Sequence, residues 1–198
     1  FIIDLSLDED DLLKRMSKRN GRYLKNNNNN NNIISDRDVL RDFLINNYEE
    51  FIKSHGVSKD DSSYYSRNAL AYLTSLENSL IIGKYENNRI ESAILFLFTP
   101  FCATSFCMAS IGDGRKDNRD IYWAGILELK YKGIPLLNLG GGININDGIA
   151  VFKRRLGGKA FSLKCVKQIY NIQDYEKLCK LSGKDPDNED FFPPYYDN

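Results

Sequence analysis

The segment LNLGGGININDGIAVFKRRLGG, residues 137–158, carries the pattern that decides the fold. An apolar run ends at three consecutive glycines, a polar loop follows, and a short amphipathic stretch ends at Gly157 and Gly158. The pattern predicts a buried strand, a glycine-rich loop and a helix that begins at Asp147, because aspartate is a favoured N-cap and glycine a favoured helix end. Lys153 lies in the middle of this predicted helix, so one short unit combines an exposed backbone with a cation.

The apolar pattern on either side of this segment predicts a succession of helices and strands. Together they predict a mixed sheet with helices on both faces, which is an α/β (α+β) class. The predicted strands cover 1–7, 80–85, 89–99, 102–111, 134–139 and 159–171, and the predicted helices cover 8–25, 36–56, from 61–63 to 76, 118–133, 147–157 and 173–181.

The chain has 198 residues, which is enough for one full-sized core. We predict a single domain over 1–181 and an extended tail, rich in proline and aromatic residues, over 182–198. The seven consecutive asparagines at 26–32 have a low helix propensity and no core-forming side chain, so we predict a loop there.

The charge balance excludes no partner class but favours none. Lys plus Arg and Asp plus Glu number 27 each, so net charge does not argue for nucleic acid or for an anionic membrane surface. No apolar run approaches the roughly 20 residues that span a bilayer, and no signal-peptide pattern is present, so we expect a cytoplasmic protein. The chain begins with Phe1 rather than Met, which indicates that the natural start lies upstream.

The four cysteines do not form a disulfide or metal pattern. Cys102 and Cys107 are five residues apart in a predicted strand, so their side chains point to opposite faces. Cys165 and Cys179 are isolated in the sequence. We therefore expect four reduced thiols and no metal site.

His55 is the only histidine of the chain. It precedes Gly56 at the predicted end of a helix, where a cation interacts favourably with the helix dipole. This position favours a role for His55 as a cation at the helix end over a role as a catalytic base. The chain therefore has almost no residues from which to build a Ser-His-Asp triad.

Three stretches of the chain resemble the carboxy-terminal GNAT-like domain of the FemAB/FemX peptidoglycan aminoacyltransferases and their acetyltransferase-like relatives. They are the glycine segment at 137–158, the opening IIDLSLDEDDLLKRMSKRNGRYLK at 2–25, and the strand, loop and helix at 103–142. The resemblance implies a GNAT-like (acyl-CoA N-acyltransferase) fold. Family members carry two GNAT-like halves with the substrate between them, so the resemblance also implies a second half upstream.

The resemblance implies an acyltransferase that moves an aminoacyl or acyl group to an amine acceptor such as a peptidoglycan precursor. The donor would be aminoacyl-tRNA or acyl-CoA as a co-substrate, with no permanently bound cofactor. A direct attack by the amine agrees with the lack of an activated Ser or Cys. Two alternatives remain open: an acetyl-CoA-dependent N-acetyltransferase on the same fold, and a degenerate GNAT domain that only binds a ligand.

The glycines Gly140, Gly141 and Gly142 are the predicted acyl-binding loop. Glycine tolerates a positive φ, so the loop can bring bare N–H groups to an acyl or phosphate oxygen, and the following helix start adds partial positive charge. We assign Phe152 to substrate binding with them. The alternative is that the glycines only make a tight connection between strand and helix.

Lys153 is the predicted catalytic residue. The helix from Asp147 is expected to bury Ile149, Phe152 and Leu156, which places Lys153 at the edge of that stripe. An ammonium at a half-buried edge can stabilise the oxyanion of acyl transfer, and the resemblance assigns this role to a lysine here. The alternative is a surface lysine whose stem covers apolar area.

Weaker candidates lie in the first half of the chain. Tyr64, Tyr65 and Arg67 are predicted to contact the acceptor. The basic residues Lys18, Arg19 and Arg22 are predicted to bind phosphate, with a solvated helix end as the alternative reading.

The stretch SIGDGRKDNRD at 110–120 departs from the loop that holds the pyrophosphate in CoA-using GNAT enzymes. It has only Gly112 and Gly114, and the carboxylate of Asp113 between them would oppose a pyrophosphate. This departure makes CoA the less favoured donor without excluding it.

Overall fold

The computed structural model describes residues 1–26, 32–56, 65–86, 88–112, 118–141, 147–162, 166–188 and 191–196. The chain divides into two compact units, Phe1–Phe161 and Ser162–Asn198. The strands of the first unit are β1 (Ile2–Asp4), β2 (Ile33–Ile34), β3 (Ser79–Glu86), β4 (Arg89–Phe98), β5 (Ala103–Ser110) and β6 (Leu136–Asn138). The helices are α1 (Glu9–Arg15), α2 (Lys18–Asn26), α3 (Arg37–Lys53), α4 (Arg67–Ser75), α5 (Arg119–Tyr131) and α6 (Gly148–Arg155), with α7 (Ile172–Leu181) in the second unit.

The six strands form one mixed sheet in the order β1-β6-β5-β4-β3-β2. β5 and β6 are parallel, and the other neighbouring pairs are antiparallel. Parallel neighbours need a crossover connection, and α5 provides it. The mixed sheet predicted from the sequence is therefore confirmed.

Strand β4 is buried on both faces and separates two apolar cores. Ile94 and Phe96 face the core shared with α1, α2 and α5. Ala93 and Leu95 face the opposite core, shared with α3 and α4. Because successive side chains of a strand alternate between faces, this one strand supports both helical layers, and the prediction of helices on both faces is confirmed.

Several helix ends lie where the sequence predicted them. The side chain of Asp147, the predicted N-cap, accepts a hydrogen bond from the first turn of α6, and Asp36, at the predicted start of a helix, caps α3 in the same way. Gly133 and Gly157 take positive φ values of 75° and 90° just after α5 and α6. These local signals were sufficient because a cap is an interaction among residues close in sequence.

The single helix predicted over 8–25 is wrong, since α1 and α2 are separated at Met16 and Ser17. Met16 is extended, with ψ at 165°. The backbone N–H of Ser17 donates to the carbonyl oxygen of Arg155 at 3.0 Å instead of continuing the helix. Ser17 Oγ also accepts from the Asn20 N–H at 3.3 Å, so a local cap and a contact distant in sequence meet at the break.

The strand predicted over 159–171 is also wrong. Lys159 makes an isolated antiparallel bridge with Ile2, while 160–162 and 166–171 have no regular structure. Phe161 in the first unit and Val166 and Tyr170 in the second are exposed apolar side chains. The helix we placed at the end of the first domain lies, as α7, in the unit that starts at Ser162.

Other predictions concern segments that the structure describes only in part. Helix α4 begins after the N-cap Ser66, later than predicted, and the tract at 26–32 is described only at Asn26 and Asn32. Cys102, Cys107 and Cys179 are free thiols, whereas Cys165 lies outside the described residues. None of the helices in the described ranges is long and apolar enough to cross a membrane.

Candidate active site

Helix α6 presents Lys153 at the edge of its buried face. The helix is anchored through Ala150 and the following Leu156, both about 1% exposed. Lys153 is half-buried, while Arg154 and Arg155 are exposed. The edge position predicted for this lysine is confirmed, although its catalytic role stays a prediction.

The stripe predicted for α6 is wrong at one position. Ile149 is 50% exposed, so it does not belong to the core. Phe152 is only partly buried, and its ring packs edge-on against Tyr122 with 5.4 Å between the centroids. The side chains of Ile149 and Phe152 both line a cavity. Because few residues of α6 are buried in the core, these apolar side chains are available to contact a ligand.

The glycine loop contacts Lys153 through a carbonyl group. The ammonium of Lys153 donates a hydrogen bond to the carbonyl oxygen of Gly141. Gly140 has a φ of 74°, and a Cβ atom built on it would lie 3.4 Å from the Lys153 Nζ. Glycine at 140 therefore provides both the turn and the space for the lysine to approach.

The predicted N–H donor at Gly140 is not open to a ligand, which corrects the sequence-based reading. Its N–H donates to the Asn138 Oδ1 at 2.8 Å, within the loop itself. Gly142 lies outside the described residues. On the described part of the loop, the contact with Lys153 is made by the Gly141 carbonyl oxygen.

The charge of Lys153 is under two opposing influences. Burial lowers its pKa from the ordinary lysine value, and the carboxylate of Asp147 acts in the opposite direction. Burial is the larger effect. A partly desolvated ammonium interacts more strongly with a developing negative charge than a hydrated one does.

Lys153 faces a cavity of about 530 Å³, a volume that suits a small substrate group. The wall is mostly apolar, with a few polar side chains. The polar and ionisable lining residues are His55, Ser105, Cys107, Asn118, Tyr122 and Lys153, and the apolar ones include Phe51, Phe106, Met108, Ile149 and Phe152.

Two polar groups in the wall are held by the sheet and by α5. The hydroxyl groups of Tyr122 and Ser105 are 3.1 Å apart and hydrogen bonded, and burial raises the pKa of Tyr122.

Asn118 Oδ1 is buried and has no hydrogen-bond partner among the described residues. A buried acceptor without a partner is costly, so this oxygen is a suitable contact for a donor group of a ligand.

Sequence reasoning missed Ser105, Asn118 and Tyr122, and it gave His55 no place at the site. The spacing of Asn118 and Tyr122 at the start of one predicted helix was a usable signal. Ser105 and His55 carried no such signal, because β5 and the end of α3 meet only in the tertiary structure.

The residues predicted to contact the acceptor do not come together at the cavity wall within the described part of the chain. Tyr65 does not line the cavity, but its ring centroid is 4.7 Å from that of the lining residue Phe106. Arg67 is exposed at the start of α4 and does not line the cavity. Tyr64 lies outside the described residues.

The predicted phosphate-binding residues form a separate surface. Lys18, Arg19 and Arg22 are exposed on α2 and line a shallow groove with Tyr23 and Asn26. This groove shares no residue with the Lys153 cavity. The structure therefore brings the three cations together without bringing them to the lysine.

Helix α2 is nevertheless tied to α6, which carries Lys153. The Asn20 side chain donates to the carbonyl oxygen of Arg155 at 3.1 Å, and Asn20 is 9% exposed.

In the described ranges no group of three or more His, Cys, Asp and Glu side chains could hold a metal ion.

No protein-family model and no curated protein matches this chain. Among solved structures it is similar to FemX, with 15% identity and a TM-score of 0.60, over 79% of this chain and 57% of the FemX chain. It is also similar to an aminoglycoside acetyltransferase from an uncultured soil metagenomic sample, solved with trehalose. That match has 14% identity and a TM-score of 0.50 and covers 70% of this chain and 93% of that chain.

The chain thus spans less than two thirds of FemX. At these identities the similarity establishes the arrangement of helices and strands. With its mixed six-stranded sheet and helices on both faces, the chain has the GNAT-like fold that the sequence resemblance implied.

Proposed function

We propose that this chain catalyses the transfer of an acyl group from an activated donor to an amine. The observation that carries the proposal is Lys153, a half-buried ammonium held by the Gly141 carbonyl oxygen at the wall of a mostly apolar cavity. An ammonium has three N–H donors, and the contact with Gly141 uses one of them. The others can stabilise the oxyanion that develops when an amine attacks a carbonyl carbon.

The cavity wall also supplies a contact for the acceptor. Asn118 Oδ1 is the buried oxygen without a partner among the described residues, and it lines the same cavity as Lys153. An acceptor ammonium or amine is a donor group of the kind that this oxygen requires. Binding there would place the nucleophile beside the acyl carbonyl.

For the donor, we propose the FemX-type alternative, an aminoacyl-tRNA, with a peptidoglycan precursor as acceptor. Lys18, Arg19 and Arg22 share one exposed groove, which suits a phosphate backbone. The similarity to an acetyltransferase keeps acetyl-CoA as the second candidate donor.

The test compares the two donors on the full chain. Transfer to an amine-bearing peptidoglycan precursor is followed with aminoacyl-tRNA and with acetyl-CoA, and acetyl-CoA binding is titrated by calorimetry. We expect transfer from aminoacyl-tRNA, with affinity that falls steeply as salt rises, and weak or no binding of acetyl-CoA.

A low-micromolar dissociation constant for acetyl-CoA, with acetyl transfer, would overturn the aminoacyl-tRNA preference and leave an N-acetyltransferase. Ligand binding without transfer from either donor would contradict the catalytic proposal and indicate a domain that only binds.

A further inference from the structure

His55 lies two residues after the last residue of α3 and lines the same cavity as Lys153. Its ring is packed against that of Phe51, with 4.5 Å between the centroids. The imidazole is exposed, so a ligand in the cavity can reach it. The end of α3 and the middle of α6 thus contribute one ionisable side chain each to a single cavity.

The hydrogen bonds of His55 decide which ring nitrogen carries the proton. His55 Nδ1 is 2.8 Å from the carbonyl oxygen of Phe51, which can only accept. Nδ1 is also 3.2 Å from Ser54 Oγ, and that hydroxyl donates its own proton to the same carbonyl at 2.6 Å. Both partners therefore require an N–H at Nδ1. In the neutral ring, Nε2 is left with a lone pair and acts as a base.

Acyl transfer to an amine needs such a base. A primary amine is an ammonium near neutral pH and has no lone pair until it loses a proton. The other titratable groups of the described wall are unsuitable: Lys153 is already a cation, and burial raises the pKa of Tyr122 and raises that of Cys107 to about 12. On α3 itself, Lys53 and Glu49 are paired with each other at 2.7 Å.

We propose that His55 is a catalytic residue that removes the proton from the acceptor ammonium through Nε2. This inference rests on the proposed function and adds the base to it. The amine lone pair then forms a C–N bond with the carbonyl carbon of the donor ester or thioester, and the carbonyl oxygen becomes negative beside Lys153.

Collapse of this intermediate breaks the C–O or C–S bond of the donor, and the electron pair leaves on oxygen or sulfur. The second proton of the attacking nitrogen neutralises the leaving group, and the imidazolium of His55 releases its proton to solvent. The products are one amide, one alcohol or thiol and one proton.

The test uses His55→Asn in the full chain. Its amide can keep the hydrogen bond to Phe51 but has no group at the Nε2 position. We expect kcat/KM to fall by about 10²–10⁴ near pH 7, with partial rescue by free imidazole. The deficit should shrink as the pH approaches the pKa of the acceptor, because the amine then needs no base. A purely structural role for His55 would give a deficit that is independent of pH.

A second measurement needs no turnover. Nitrogen-15 NMR of the wild-type chain reads the tautomer of its single histidine, and we expect the Nδ1–H form when the ring is neutral. A neutral ring with its proton on Nε2 would overturn the inference.

The two proposals fail in different ways. If the wild type transfers acyl groups and His55→Asn matches it at every pH, only the role of His55 is wrong. If no activated donor supports transfer to an amine, the proposed function fails, and the role of His55 fails with it.

Discussion

Lys153 is partly buried, and its ammonium has a hydrogen-bond partner in the glycine loop. Its ammonium is fixed by the Gly141 carbonyl oxygen, and Gly140 leaves the space for this approach. Burial on one side lowers its pKa, which is the cost of removing the charge from water. A surface lysine would carry neither the fixed contact nor this shift.

Replacing Lys153 with Met tests the role of the charge, because Met keeps most of the volume. We expect kcat to fall by about 10²–10³, the usual loss for one preorganised oxyanion partner. The free energy of unfolding should change by about 1 kcal/mol or less, since the side chain lies at an edge of the core.

Transfer rate and urea unfolding are the two readouts for this variant. The matched control is Arg155→Met, which removes an exposed cation from the same helix and should leave kcat unchanged. A folded Lys153→Met protein with near-normal turnover would contradict a catalytic role for Lys153 and leave it as a surface lysine.

The lowered pKa of Lys153 predicts an alkaline limit to activity. In the proposed role Lys153 must be protonated, so kcat should fall as the pH rises through the lowered pKa, below the pH at which an exposed lysine titrates. Lys153→Arg stays protonated throughout, so its kcat should persist to higher pH even if its maximum is reduced. The check is kcat against pH for both proteins. Identical alkaline limbs would show that another group sets the limit.

At the scale of elements, α6 is held at both ends. The Asp147 side chain accepts from the Ala150 N–H at 2.6 Å and caps its start. Its last carbonyl, that of Arg155, accepts from Ser17 and Asn20 at the junction of α1 and α2. A helix of eight residues is not stable alone, so these contacts determine where it lies.

Two substitutions of Asp147 separate its cap from its charge. Asp147→Asn keeps a favoured N-cap, so stability should stay near that of the wild type. It removes the carboxylate that raises the pKa of Lys153, so the alkaline limb of kcat should move to lower pH.

Asp147→Ala removes the cap as well, and should lower the free energy of unfolding by about 1 kcal/mol. Urea unfolding and kcat against pH measure the two effects. Equal stability of the two variants would mean that the cap contributes nothing.

At the scale of the whole molecule, the α5 layer is fitted closely to the sheet. A Cβ on Gly125 would lie 2.4 Å and 2.6 Å from two ring atoms of Phe96, a fully buried residue of β4. The Phe96 ring packs edge-on against Tyr122, which lines the same cavity as Lys153. The packing of the core shared with α1, α2 and α5 thus extends to the cavity wall.

We expect Gly125→Ala to destabilise the chain by about 1–2 kcal/mol, because overpacking costs about 1–3 kcal/mol and the gain in helix propensity returns up to about 1 kcal/mol. Urea unfolding measures the change. The double variant with Phe96→Leu frees the space, so it should be more stable than the sum of the single changes. A stabilised single variant would contradict the close packing.

The sequence by itself determined the elements whose signals are local. The helix start at Asp36, the cap Asp147, the glycines after α5 and α6, and the apolar run of β4 each depend on residues near in sequence. The mixed sheet with two helical layers could therefore be predicted from them. The edge position of Lys153 was predicted from helical spacing, although the same spacing wrongly placed Ile149 in the core.

Only the tertiary structure decided the contacts between distant segments. The Ser17 N–H at the break between α1 and α2 donates to Arg155, far along the chain, and Lys159 forms its bridge with Ile2 at the other end of the first unit. The cavity joins His55, Ser105, Tyr122 and Lys153 from four separate elements. Hydrophobic patterning specifies which face of an element is buried, but it does not specify which polar side chains of different elements then meet.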